Sequence, residues 1–159
     1  MSERIDFMQQ SPELTKKLVE LEGLLAKSAI EKPIQDLVKI RASQLNGCAF
    51  CTDMHIKQAT IRGERPLRIY HLTAWRESPL FSPRERAALA WAEALTQLPA
   101  QGVADDYYDR VAAQLSAQEM SDLAFVVAAI NAWNRLSIGF RTVPGSRDKA
   151  YGLDKAELS

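Results

Sequence analysis

Apolar residues recur at intervals of three and four along most of this chain, and no stretch alternates long enough to read as a strand. That periodicity predicts an all-α fold. Ser11-Pro12 supplies an N-cap and a first-turn proline, and Leu14, Leu18, Leu21 and Leu25 follow at helical spacing, giving a helix from about Pro12 to Lys27. Pro33 opens a second helix whose buried face is Ile34, Leu37, Val38, Ala42 and Leu45, stopped by Asn46-Gly47. A third starts at or near Cys48 and ends near Arg62-Gly63, and a fourth runs from Leu67 to about Glu77 before Ser78-Pro79. Ser82-Pro83-Arg84-Glu85 and Ser116-Ala117-Gln118-Glu119 each pair a serine with a glutamate three residues later, the capping-box signature of a helix start. Between those two helices, Asp105 to about Leu115 reads as a shorter one.

The last helix carries Leu123, Val126, Val127, Ile130, Trp133, Leu136 and Phe140, apolar enough to be central or intersubunit. Beyond it, Pro144, Gly145 and Gly152 break the pattern, so residues 141–159 are expected to form an extended tail. The chain then reads as one domain, 1–159, built as a bundle of six to seven helices. Its 159 residues, 47% hydrophobic, suffice for one real core.

Charge adds little. Lys+Arg and Asp+Glu are 20 each, which gives no support for nucleic acid or an anionic membrane as partner. Arginines between Arg62 and Arg86 are interleaved with Glu64, Glu77 and Glu85, as on a solvated mixed-charge surface. The N-terminus lacks the basic and apolar regions of a secretory signal, and the apolar run from Leu123 to Ile130 is too short to span a bilayer. The expected setting is the cytoplasm, where a CxxC pair is redox-active or metal-binding more often than a staple.

Chemistry concentrates in one place. Cys48 and Cys51 are the only cysteines, and His55 is one of two histidines. On a helix beginning near Cys48, all three project from one stripe, with His55 in reach of Cys51 and about two turns from Cys48. Unpaired amides at a helix start and a nearby imidazole both lower a thiol pKa. Asp36 lies on a line of the preceding helix from which a carboxylate could approach His55. Three readings fit: two core cysteines packing as small hydrophobes, a zinc site of Cys48, Cys51, His55 and Asp36, or a thiol redox centre. Haem attachment does not fit, because Thr52 rather than histidine follows the second cysteine. His71 and the three tryptophans read as packing residues.

The segment from Asp36 to His55, with an acidic residue twelve before the first cysteine, then Cys-x-x-Cys and a histidine four beyond, resembles the signature of the AhpD-like (alkylhydroperoxidase D) branch of the carboxymuconolactone decarboxylase family. The likeness extends through Tyr70–Glu77 and Arg84–Leu95, so the core signature spans about 36–95. It implies an all-helical fold assembled as trimers or hexamers, and reduction of hydroperoxides by the cysteine pair without a cofactor or metal. By the same resemblance Cys51 is the peroxidatic thiol, Cys48 the resolving one, His55 the base and Asp36 the end of the proton relay. An external dithiol, lipoamide-like or thioredoxin-like, would reset the disulfide.

Helix position alone favours Cys48 as the low-pKa thiol, in conflict with that assignment. Two departures also stand out: Asp36 is a methylene shorter than the family's glutamate, and Phe50 occupies the place where the best-known peroxidases carry histidine. Both leave room for two alternatives, a thiol-disulfide oxidoreductase or redox sensor, and a zinc-stabilised scaffold without activity.

Overall fold

The computed structural model describes residues 2–158, and among them it contains nine α-helices and no strand. The helices are α1 (Phe7–Gln10), α2 (Pro12–Leu25), α3 (Lys32–Asn46), α4 (Ala49–Ile61), α5 (Pro66–His71), α6 (Pro83–Thr96), α7 (Asp105–Ala112), α8 (Ala117–Phe140) and α9 (Asp148–Tyr151). Short 3₁₀ turns at Leu72–Ala74 and Leu153–Ala156 follow α5 and α9. Both capping boxes form: Ser82 and Ser116 each accept from the backbone of the glutamate three residues on, which bonds back to the serine amide.

The bundle is wrapped around α3, which packs against α4, α6 and α8. Every residue from Ile34 to Ile40 is buried, so the polar groups on this helix must find partners inside the protein. Gln35 Nε2 donates to the carbonyls of Leu25 and Ile30 and closes the α2 to α3 turn. Lys39 pairs with Glu22 of α2 at 2.5 Å, and Ser43 Oγ donates to the Lys39 carbonyl at 2.7 Å. At the far end, Asn46 Nδ2 reaches Asn131 and Asn134 of α8 at 2.9 and 2.8 Å, and Asn134 donates to Ser43 at 3.1 Å. This polar knot fixes where α3 stops. Gly47, at φ +70°, then turns the chain into α4 through a conformation that glycine adopts without strain.

α8 is long and apolar enough, by length and composition, to cross a membrane. The shorter run from Leu123 to Ile130 is therefore too narrow a basis for excluding a span. In the fold α8 is a core helix: Leu123, Val126, Val127 and Ile130 are at most 1% exposed, and it packs on α3, α6, α2 and α4.

Two expectations about the ends of the chain are corrected. The helix count exceeds six to seven because α1 and α9 are single turns, too short to leave a periodic pattern; α1 forms because the Asp6 side chain accepts from the amides of Met8 and Gln9. The tail is not extended. Buried Lys57 of α4 binds Asp148 at 2.7 Å as well as Asp53 at 2.9 Å, drawing α9 onto α4, and Leu153 and Ala156 are buried behind it. The leucine face expected of α2 is also less buried than its spacing suggests: Leu14 is exposed and only Leu25 is fully covered.

Candidate active site

Asn46-Gly47 ends one helix and Cys48 caps the next, so the two sulfurs are held at the start of α4. Cys48 Sγ accepts from the Cys51 amide at 3.2 Å, an N-cap made by sulfur where serine or aspartate is usual. The sulfurs are joined in a disulfide, with the two Cα atoms 5.3 Å apart. Both cysteines are buried, packed with Ala42, Phe50 and Ile130.

His55 lies one helical turn beyond Cys51 and is also buried. Its Nδ1 is 2.9 Å from Gln58 Oε1, one further turn along the same face. With that oxygen as acceptor, Nδ1 carries the ring proton and Nε2 keeps its lone pair. Burial pushes the imidazole down to about 3, helped by the positive charge of Lys39 and opposed by the Gln58 hydrogen bond. The ring is therefore neutral at physiological pH and a weak base while the disulfide is closed; a thiolate at Cys51 in the reduced protein favours the imidazolium and raises its proton affinity.

Cys51 and His55 face a cavity of about 340 Å³. Phe50, Met54, Ile130 and Trp133 give it apolar walls, and Glu22, Lys32, Lys39 and Arg62 supply charge. Met8 of α1 and Tyr151 of α9 also line it, with the Tyr151 hydroxyl 3.8 Å from Met8 Sδ. The two single-turn helices thus meet at the cavity, which is the functional consequence of the folded tail.

Of the four residues singled out from sequence, Cys48, Cys51 and His55 come together and Asp36 does not join them by a hydrogen bond. Both carboxylate oxygens of Asp36 accept from Arg62 Nη1, at 2.8 and 2.9 Å, and Lys32 lies 3.8 Å away. A guanidinium provides a stronger partner for a buried carboxylate than a neutral imidazole does, and the short aspartate side chain is taken up by it. The partner of His55 is Gln58, whose i,i+3 spacing from His55 is visible in the sequence. The proposed zinc set is likewise not assembled, since the cysteines are bonded to each other and Asp36 is held by Arg62.

Residues 12–94 match the model of the carboxymuconolactone decarboxylase family. Over 138 residues the chain is 41% identical to the uncharacterized protein YdfG of Bacillus subtilis (strain 168), covering 87% of this chain and 94% of that one. Among solved structures, a candidate AhpD antioxidant defence protein of unknown function from Agrobacterium tumefaciens superposes with a TM-score of 0.86 at 38% identity, covering 90% of this chain and 98% of that one. The debrominase Bmp8 shares the fold, at a TM-score of 0.79 and 21% identity, over 94% of this chain and 80% of that one. A family match across more than half of the chain, joined to a cysteine pair and histidine on the first turns of α4, places this protein in the AhpD-like branch of the carboxymuconolactone decarboxylase family.

Proposed function

We propose that the protein is a thiol-dependent peroxidase that reduces organic hydroperoxides through a Cys48/Cys51 dithiol-disulfide cycle. The observation that supports it best is that Cys51 and His55 open together onto one cavity with an apolar wall while Cys48 caps the helix beside them. In the reduced protein, His55 Nε2 takes the Cys51 thiol proton and the thiolate attacks the terminal peroxide oxygen. The O–O bond breaks, the alkoxide leaves as an alcohol with the proton from His55, and Cys51 becomes a sulfenic acid. Cys48 then attacks Cys51 sulfur as the thiolate, the S–O bond breaks, the departing hydroxide takes up the proton that the Cys48 thiol released and leaves as water, and the disulfide forms.

This division of labour removes the conflict between helix position and family role. A helix-start amide that donates to Cys48 Sγ favours its thiolate, which suits a resolving nucleophile, while Cys51 relies on the imidazole. An external dithiol, lipoamide-like or thioredoxin-like, closes the cycle. A cytoplasmic setting and a trimeric or hexameric assembly belong to the same reading. Steady-state turnover of an alkyl hydroperoxide by wild type, Cys48→Ser and Cys51→Ser tests it: both variants should lose turnover, and undiminished activity in both ends the idea.

A second reading is favoured by Phe50 and by the lack of a carboxylate on His55: a thiol-disulfide oxidoreductase in which peroxide is incidental. Rapid reduction of a low-molecular-weight disulfide with negligible peroxide turnover distinguishes it.

A further inference from the structure

The disulfide has two separate approaches. The 340 Å³ cavity touches Cys51 but not Cys48, whereas a second cavity of about 220 Å³ touches Cys48 but not Cys51. Phe50 and Ser137 line both and form the partition between them. The second cavity lies under the C-terminal end of α8 and the segment that follows, walled by Ile138, Thr142, Val143 and Pro144. Arg141 is the one charged residue lining it, and the buried Thr142 Oγ1 has no hydrogen-bond partner there. The site thus offers apolar surface and one positive charge beside a disulfide sulfur.

We propose that this second cavity is the entry for the reductant, a small dithiol bearing negative charge, which attacks Cys48 from the side opposite the hydroperoxide. The proposal rests on the dithiol-disulfide cycle but not on peroxide being its oxidant. Thiolate attack on a disulfide is in line with the bond that breaks, so a nucleophile displacing Cys51 must arrive on the Cys48 side. The reductant thiolate bonds to Cys48 Sγ, the bond to Cys51 breaks, and its electron pair leaves as the Cys51 thiolate. That thiolate emerges into the cavity holding Lys32, Lys39 and Arg62, whose positive charge stabilises it. The second thiolate of the reductant then attacks its own sulfur in the mixed disulfide. Cys48 leaves as thiolate and the reductant departs as an internal disulfide, having passed two electrons to the protein. Leaving-group acidity pulls the other way, because the helix start makes Cys48 the better thiolate; against it, the separate opening onto Cys48 gives the reductant a path that leaves the larger cavity to the hydroperoxide.

The test uses oxidised full-length protein and no peroxide, so it separates this claim from the peroxidase reading. 3-Mercaptopropionate, an anionic thiol unable to complete the second step, is added, the mixture is quenched by alkylation, and peptides are mapped by mass spectrometry. The mixed disulfide is expected on Cys48 with Cys51 alkylated; an adduct on Cys51, or equal amounts on both, overturns the proposal. Ile138→Trp, at an exposed position of the cavity wall, should slow dithiothreitol reduction by about tenfold through blocked access. An unchanged rate in a folded variant also overturns it. Arg141→Gln should lower the ratio of reduction rates by 3-mercaptopropionate and cysteamine by about threefold at low salt, and a constant ratio removes the charge preference.

Discussion

His55 and Gln58 sit one turn apart on α4, with the imidazole Nδ1 2.9 Å from the amide oxygen of the glutamine. This contact gives the imidazole an amide partner rather than a carboxylate. It sets the tautomer that leaves Nε2 free to act as a base, so Gln58 is a positioning residue in the proposed peroxide step. Gln58→Leu should lower kcat for an alkyl hydroperoxide by about tenfold, within the usual contribution of an aligned base. Gln58→Glu should restore much of that rate and, by placing a negative charge on Nδ1–H, raise the His55 pKa. Nuclear magnetic resonance titration of the imidazole reads the second effect, which a merely structural role for Gln58 would not produce.

The buried imidazole also makes stability depend on pH. Its folded pKa, about 3, lies below the 6.5 of the free group, so the unfolded chain binds the proton more readily. The contribution is fully present above pH 6.5 and is lost as pH falls toward 3. Denaturant midpoints should therefore drop as pH falls from 6.5 to 5, above the range where most carboxylates titrate. His55→Gln should flatten that part of the curve. An equally steep decline in the variant would assign the effect to other groups.

Phe50, Met54, Ile130 and Trp133 give the Cys51 cavity an apolar wall, which favours bulky organic hydroperoxides over hydrogen peroxide. Removing the indole in Trp133→Ala should raise KM for cumene hydroperoxide by about tenfold, the scale of one large apolar contact. KM for hydrogen peroxide should move much less. Equal changes for both substrates would mean that the organic group binds elsewhere.

Lys57 is buried between two carboxylates and fastens α9 to α4. The hydrogen bond that Lys57 donates to Asp148, the largest influence, and the one it donates to Asp53 raise the lysine pKa overall, against the lowering effect of burial. Lys57→Ala leaves Asp53 and Asp148 without their shared cation, and should destabilise the fold by about 3 kcal/mol in equilibrium unfolding. Limited proteolysis should then cut first in the segment after Arg141. A variant as stable and as resistant as wild type would show that the staple contributes nothing.

What could be read from the chain was set by distance along it. Cys48, Cys51 and His55 lie within two turns of one helix, so their proximity follows from helical geometry alone, and the capping serines announce α6 and α8 by the same local logic. Gln58 was equally local but lacks the charge that draws attention to a relay. Asp36 marks a different limit. Its helix follows from local periodicity, but nothing within α3 reveals that Arg62, at the end of α4, reaches its carboxylate. Glu22, Trp133, Met8 and Tyr151 come to the cavity from four other helices, and no periodicity within a helix carries that information. The tail looked patternless because a buried lysine and two aspartates, rather than an apolar stripe, bring it home.

Sulfenic acid trapping tests the central claim most directly. Reduced Cys48→Ser and Cys51→Ser are each treated with one equivalent of cumene hydroperoxide in the presence of dimedone and mapped by mass spectrometry. In the account given, Cys48→Ser acquires the dimedone adduct on Cys51, because the attacking thiol remains and nothing resolves it, while Cys51→Ser acquires little. An adduct confined to Cys48 in the Cys51→Ser protein, or none in either, would contradict it.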